Sequence, residues 1–328
     1  CSPQLALFIM STSMLNELLV PIAPLRDHVH FARNPRAKLA NVTTLQAPPF
    51  RMYVHYPAEC KFISRQLLLN GHWEAHLVDR VIRELNDAMP LSGRRGSFLD
   101  IGGNIGAFTL GVLAAGHSAV TFEPMAYNVE LLAASVALNT FSVARNFASR
   151  SHIFKTAVST PQAASRQLCI GPQGGNRENA GNGALRTADG PCGPDDERVP
   201  VHSVDEVLNA SAQLRSMCFT VVKADVEGHE AHALRGAAGV FNGPCPPHLV
   251  LLEYQEPLAR AAGSGGGEVF RLLDRYGTGF KPINPSLSTR AAHMMRVRCL
   301  LAACLQPDHV LLRALPFSLT ALGATATA

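Results

Sequence analysis

The sequence holds few charges and no block of them. Only 16% of its 328 residues are Asp, Glu, Lys or Arg, and 29 basic against 25 acidic residues leave a net charge of +4. An excess that small, not gathered into runs, leaves no footprint of a dedicated nucleic-acid binder. No CxxC pair occurs among Cys1, Cys60, Cys169, Cys192, Cys218, Cys245, Cys299 and Cys304, and no His pair at finger spacing lies near the last two. A structural zinc site is therefore not expected. Cys218 and Cys299 read as small buried apolar residues, with secreted-type disulfides left open. No internal repeat is present. An unbroken apolar run of about 20 residues, as a membrane span requires, is also lacking. The stretch Leu5–Leu25 is rich in apolar residues but is interrupted by Ser11, Thr12, Ser13, Asn16, Glu17, Pro21 and Pro24.

A truncated signal or anchor and an amphipathic helix capping the domain both fit that stretch, and any membrane association would run through it alone. Cys1 stands in place of a starting Met, which reads as a fragment or a processed form. Asn41-Val42-Thr43 and Asn209-Ala210-Ser211 have the form of glycosylation sequons. Together with the cysteines and the apolar start they lean toward a secretory lumen without fixing a compartment. Oligomeric state is not legible.

What is present is apolar: 47% of the residues, enough for one large domain or for one domain with a small N-terminal piece. Residues 1–60 are proline-rich without a clear period and read as an N-terminal extension, with the main domain at 61–328. Trp73, Leu77, Val81, Ile82 and Leu85 recur at helical spacing until Pro90 and the Ser92–Gly96 run. Short apolar strands then alternate with helical stretches: Ser97–Ile101, Ala119–Glu123, His152–Val158, Val199–Ser203, Phe219–Ala224, His248–Glu253 and His309–Arg313 are the strands. Such alternation predicts an α/β fold, a Rossmann-like, doubly wound, mostly parallel sheet. Residues 171–197 carry seven glycines and read as one long irregular loop.

The chemistry concentrates in three places at strand ends. The first is Asp100-Ile101-Gly102-Gly103-Asn104-Ile105-Gly106, a strand, a glycine-rich turn and a helix start. Gly102 and Gly106 permit a tight turn with no side chain in a ligand's way. A dinucleotide fingerprint would need its second glycine at position 104 or 105, but Asn104 and Ile105 stand there. Asp100 would repel a pyrophosphate and suits a cationic ligand, so S-adenosylmethionine, with its ammonium and sulfonium, fits better than a nicotinamide cofactor. The second is Glu123, 23 positions after Asp100, where an acid can accept both hydroxyls of a ribose. The third is Asp225-Val226-Glu227-Gly228-His229-Glu230, three carboxylates within six residues at the end of a central strand. Burial and mutual repulsion there suit a general base for a hydroxyl substrate. Glu253 ends the next strand at the same edge. His229 is a lesser candidate base, and the bland alternatives are that Glu230 caps the next helix and Lys223 pairs with one of the acids.

These stretches together resemble the FkbM family of methyltransferases. The likeness covers Phe62 to about Leu252: Gly71-His72-Trp73-Glu74, Asp100–Leu110, Phe122-Glu123-Pro124, Ala157-Val158-Ser159, Ser203-Val204-Asp205 and Lys223–Glu230, in that order. The resemblance implies a class I methyltransferase fold, S-adenosyl-L-methionine as donor and usually O-methylation of a sugar, glycan or other small-molecule hydroxyl. It maps Asp100, Gly102, Asn104 and Gly106 onto the cofactor loop and Glu123 onto the ribose contact, with Ala157 also in the cofactor set. Asp225 and Glu227 fall near the reaction centre, with Glu253 beside them as catalytic candidates. No metal is required. The rivals are a nicotinamide-dependent oxidoreductase and a non-catalytic protein that keeps the fold.

Overall fold

A computed structural model describes residues 12–23, 34, 36–92, 96–142, 146–163, 167–172, 183–186, 192–276, 281–282 and 309–313. The first helix, α1 (Thr12–Leu18), buries Leu15 and Leu18 against Phe154 and Val158. Val20 continues from it, donating its N–H to Ile153 at 2.8 Å. The described half of the apolar N-terminal stretch is thus a cap on the fold. Among the described residues no helix is long and apolar enough to cross a membrane.

Two antiparallel strands follow, β1 (Ala37–Val42) and β2 (Phe50–His55), then α2 (Ile63–Asn70) and α3 (Ala75–Ser92). Helix α3 runs past Pro90. A proline in the last turn removes only one backbone hydrogen bond, so it does not stop the helix as the sequence suggests. The boundary drawn at residue 60 does not mark a change of packing. Met52 and Val54 of β2 are fully buried in the core that holds Leu77, Val81 and Leu110.

The main sheet contains β3 (Ser97–Ile101), β4 (Ser118–Phe122) and β5 (Ser151–Phe154). A second, smaller sheet contains β6 (Ala157–Val158), β7 (Gln167–Pro172), β8 (Gly183–Arg186) and β9 (Glu197–His202). The chain returns to the main sheet with β10 (Phe219–Ala224), β11 (Leu249–Glu253), β12 (Lys281–Pro282) and β13 (His309–Arg313). The order across the main sheet is β12-β13-β11-β10-β3-β4-β5. The five strands from β11 to β5 are parallel, and β13 runs antiparallel to both neighbours. Every residue of β3 and β10 is buried, the pattern of parallel strands covered on both faces.

Helices α4 (Ala107–Ala114) and α5 (Ala126–Ser142) cover β3 and β4. The β1–β2 hairpin lies on α5, whose side chains satisfy its free edge. Tyr53 donates its N–H to Ser135 Oγ at 2.8 Å, and Arg51 exchanges two backbone bonds with the Asn139 amide. The chain winds from β3 outward to β5, then crosses back to β10. The switch point therefore lies between β3 and β10, where ligands enter open α/β sheets beyond the carboxyl ends of the strands.

The expected loop at 171–197 is partly ordered structure. β7 and β8 form an antiparallel hairpin paired to β9, and Cys169 is joined to Cys192 across a Cα separation of 5.5 Å. The glycines concealed this, since they mask the short strands beside them. Cys218, expected to be a free apolar residue, is bonded to Cys245. The expectation for Cys299 and the ends of the 171–197 stretch's hairpin tip lie outside the described residues.

Candidate active site

The turn after β3 is built by residues that the backbone geometry demands. Gly102 has φ +84°, and a Cβ there would sit 1.8 Å from the carbonyl oxygen of Asp225. Gly102 and Gly103 both donate to Phe122 O, which ties the turn to the end of β4. Asn104 also takes a left-handed conformation at φ +50°; its Oδ1 accepts the N–H of Ile105 at 2.8 Å. Gly106 at φ +91° caps α4, and a Cβ there would meet Leu132 Cδ1 at 2.2 Å. Only glycine fits these two approaches without displacing a neighbour.

Asp100 is fully buried beneath this turn. Its Oδ2 accepts from Thr109 Oγ1 at 2.7 Å, and Oδ1 lies 3.5 Å from Lys223 Nζ. Lys223 is itself buried. It donates to Gly102 O at 3.0 Å, lies 3.2 Å from Asp225 Oδ2 and sits over the ring of Phe108. Burial opposes its charge, but Asp225 and Asp100 more than offset this and hold the ammonium above the usual lysine range. One cation thus ties the end of β3, the glycine turn and the end of β10 together.

A cavity of about 260 Å³ opens above the switch point. Gly102 and Asn104 form its floor, Glu123 and Ala157 one side, and Asp225, Glu227 and Glu253 the other. Seven of the nine expected site residues therefore share one cavity. Asp100 and Gly106 do not reach its wall: the first anchors the turn from below and the second packs against α5. The reading of Asp100 as the direct partner of a cationic ligand is corrected accordingly, because its charge is already matched by Lys223.

Glu123 is buried and holds the turn from the side. Its Oε2 accepts the Asn104 N–H at 2.8 Å, and Oε1 accepts from Met125 N at 2.9 Å and Asn128 Nδ2 at 3.2 Å. Burial outweighs these bonds and pushes its pKa up to about 7. Asn128 is in turn held by His55 Nε2 at 2.8 Å, so the β1–β2 hairpin supports the site from outside the sheet.

The acidic turn is also strained. Glu227 has φ +52°, and Gly228 at φ +98° lies so close to the Leu258 backbone that a Cβ would be 2.5 Å away. Glu230 Oε1 accepts the N–H groups of Val226 (3.2 Å) and Gly228 (3.0 Å), which fixes the turn. Burial pushes the Glu230 carboxyl up to about 7. Glu230 thus braces the turn ahead of its helix and does not line the cavity. His229 is off that wall as well, and burial, with His232 beside it, lowers its pKa to about 4. Oxygens of Asp225, Glu227 and Glu253 come within 4.8 Å of one another, a spacing that could hold a metal ion, and Lys223 already provides a cation at Asp225.

Sequence reasoning missed three parts of the wall. Trp73 and Glu74, with Phe62, form the mouth just ahead of α3, where Glu74 has φ +46°. Trp73 looked like a helix-face residue, but the helix starts at Ala75. Met125 follows Glu123 directly. The third part is the β7–β8 hairpin, which contributes Ile170, Gly183 and Leu185. The pairing of Cys169 with Cys192 was the one signal in the sequence that could have revealed it.

A five-stranded parallel core with an added antiparallel strand, a glycine turn after its first strand and an acid after its second define the Rossmann-like class I methyltransferase architecture. The chain belongs to the FkbM methyltransferase family, whose methyltransferase FkbM domain matches residues 100–280. Solved structures similar to it include the methyltransferase FkbM from Methylobacillus flagellatus KT, at 16% identity and a TM-score of 0.37 over 68% of this chain. This chain covers 45% of the length of that protein. A TehB-like SAM-dependent methyltransferase from Corynebacterium glutamicum is 10% identical, with a TM-score of 0.31 over 76% of this chain and 93% of its own. The O-methyltransferase from Bacillus cereus in complex with SAH is 8% identical, with a TM-score of 0.32 over 76% of this chain and 94% of its own. No curated protein matches the chain.

Proposed function

We propose that the chain binds S-adenosyl-L-methionine in this cavity and transfers its methyl group to a hydroxyl of a sugar, glycan or other small-molecule acceptor. The observation that carries the reading is the charge of the wall. Among the described residues five carboxylates line it, Glu74, Glu123, Asp225, Glu227 and Glu253, against one cation, Lys223, which is already engaged by Asp225, Asp100 and Gly102 O. A pyrophosphate would find only repulsion there, whereas a ligand with an ammonium and a sulfonium is attracted. This supports the methyl donor over a nicotinamide cofactor.

The residues fit the donor part by part. Glu123 is placed to accept ribose hydroxyls, and the backbone of Gly102–Asn104 offers close approach with no side chain in the way. Ala157, small and buried, lines the wall beyond Glu123. Bound there, the donor supplies an activated methyl for in-line displacement. The chain's own task is to align the acceptor and exclude water. Phe62 and Trp73 provide flat apolar faces at the mouth for the acceptor body. Asp225 and Glu227 receive its hydroxyl, with Glu253 beside them. One of these carboxylates takes the proton as the oxygen attacks, and Lys223, 3.2 Å from Asp225 Oδ2, orients that carboxylate for the step.

Two measurements test this. S-adenosylhomocysteine should raise the thermal midpoint where NAD does not; the reverse result would favour the oxidoreductase reading, and an affinity weaker than millimolar for S-adenosylhomocysteine would favour a non-catalytic protein. In a methyl-label screen of acceptors, Asp225→Asn should lower turnover by about 10²–10⁴-fold with little change in S-adenosylhomocysteine affinity. Unchanged turnover removes Asp225 from the role of base.

A further inference from the structure

The β1–β2 hairpin and α2 carry a local excess of positive charge. Residues 36–73 contain five of the chain's basic residues (Arg36, Lys38, Arg51, Lys61 and Arg65) and one acid, Glu59, an excess of four. The charges are dispersed along the sequence, but the β1–β2 hairpin and α2 bring three of them to one concavity. Lys38, Lys61 and Arg65 line a second cavity, of about 450 Å³, together with Tyr56 and Leu68, and among the described residues no carboxylate lines it. Glu59, the one acid of the segment, is paired with Arg36 at 3.2 Å and does not line it.

The place of this cavity gives it meaning. Lys61, Arg65 and Leu68 are spaced by four and three residues and share one side of α2 and its approach. Phe62 and Ile63, between them in sequence, line the cavity over the glycine turn instead. Consecutive Cα atoms are about 3.8 Å apart, so a single turn of chain separates the two cavities. Phe62 is half exposed between them. Lys38 is held over the ring of Tyr56 at 5.3 Å, which places its ammonium at the cavity rather than loose in solvent.

We propose that the cavity of Lys38, Lys61 and Arg65 is an anion subsite for the acceptor, and that the hydroxyl compound methylated over the glycine turn carries a phosphate or sulfate group bound there. The proposal rests on the methyltransferase reading for the position of the hydroxyl. The anion site itself does not depend on it. Three cations around one concavity match a compact oxyanion and not an extended polyanion, which needs a continuous basic track.

The test uses the full chain, with and without saturating S-adenosylhomocysteine. It is titrated with inorganic phosphate and with inorganic sulfate against sodium chloride of equal ionic strength, followed by thermal midpoint and by NMR shifts. Saturable binding of one or both is expected, weakened about tenfold or more in the exposed double variant Lys38→Gln, Arg65→Gln. Affinity for S-adenosylhomocysteine is unchanged in that variant. Tighter binding of phosphate identifies a phosphate ester as the source, and tighter binding of sulfate a sulfate ester. In the acceptor screen, compounds bearing the anion should show a KM about tenfold lower than their neutral counterparts in the parent protein only. Absence of saturable anion binding overturns the proposal. So does equal loss of neutral and anionic acceptors in the variant, or a preference for RNA or anionic vesicles over the small anions. Failure of S-adenosylhomocysteine to bind would count against the methyltransferase reading alone, since the titrations without it still decide this one.

Discussion

Replacing Glu123 with glutamine should separate the stability of the fold from the affinity of the site. The carboxylate is 5% exposed and accepts from Asn104, Met125 and Asn128. Burial, against those bonds, lifts its pKa from the ordinary 4.5 to about 7. A displacement of that size corresponds to roughly 3 kcal/mol against the charged form. The folded chain holds this proton more tightly than the unfolded chain. Its contribution to stability is therefore present below about 4.5, falls as pH rises toward about 7 and is absent above it. At pH 8 glutamine relieves that cost. Its amide also turns a donor toward one of the three donors now satisfied, and an orphaned buried N–H costs about 1–3 kcal/mol. The two effects oppose each other at similar size, so unfolding free energy by urea should move by no more than about 1–2 kcal/mol. Affinity has no such compensation. An ionised carboxylate can accept both ribose hydroxyls in charge-assisted bonds, while glutamine accepts one neutral bond, and the difference weakens S-adenosylhomocysteine by about 30- to 100-fold. Isothermal titration measures this directly. The parent protein should also bind more tightly as pH rises through 7, and Glu123→Gln should flatten that rise; Glu230, which titrates in the same range, is retained in both proteins. A folded variant with parent affinity and parent pH profile would refute the ribose role.

Lys223→Met leaves Asp100 buried without its cation, and unfolding free energy should drop by about 3–5 kcal/mol in urea titrations; a drop below about 1 kcal/mol would show that the ion pairs do not hold the strand ends together. Gly102→Ala places a Cβ 1.8 Å from Asp225 O at φ +84°, so the thermal midpoint should fall and S-adenosylhomocysteine binding should be lost together; normal binding would mean that the turn is not the cofactor floor. Dialysis against a chelator should leave methyl transfer within about twofold, because general-base chemistry at an oxygen needs no Lewis acid; a loss restored by magnesium would make Asp225, Glu227 and Glu253 metal ligands.

Much of the sheet was legible because its strands are buried on both faces and punctuated at their ends. Ser97–Ile101, Phe219–Ala224 and His309–Arg313 appear in the fold with the expected limits, and the parallel order follows from the helices between them. What was hidden depends on partners far away in sequence. The β1–β2 hairpin has no clear period of its own, since Arg51 and Tyr53 are satisfied by Asn139 and Ser135 on α5. The β7–β8 hairpin needs β9 to pair with and a disulfide to Cys192. Cys218 showed its chemistry only once the fold brought Cys245 within 5.4 Å. The acids at strand ends line one cavity because strand ends share one rim. Trp73, Glu74 and Ile170 were not legible, because loops and hairpins reach the rim from outside the sheet.

The fate of Asp100 shows why position at a strand end is weaker evidence than position on a cavity wall. Its charge suggested selection of a cationic donor, and in the fold that charge is matched by Lys223 and bonded by Thr109 below the turn. The proposal of a cationic donor rests instead on the carboxylates of the cavity wall. Lys223 couples Asp100 to Asp225, so the same ion pairs that stiffen the glycine turn also set the orientation of an acid on the cavity wall. Stability of the glycine turn and orientation of Asp225 are then one property of this core. A substitution at Asp100 should accordingly appear first as a change in turnover and fold stability, and only second as a change in donor affinity.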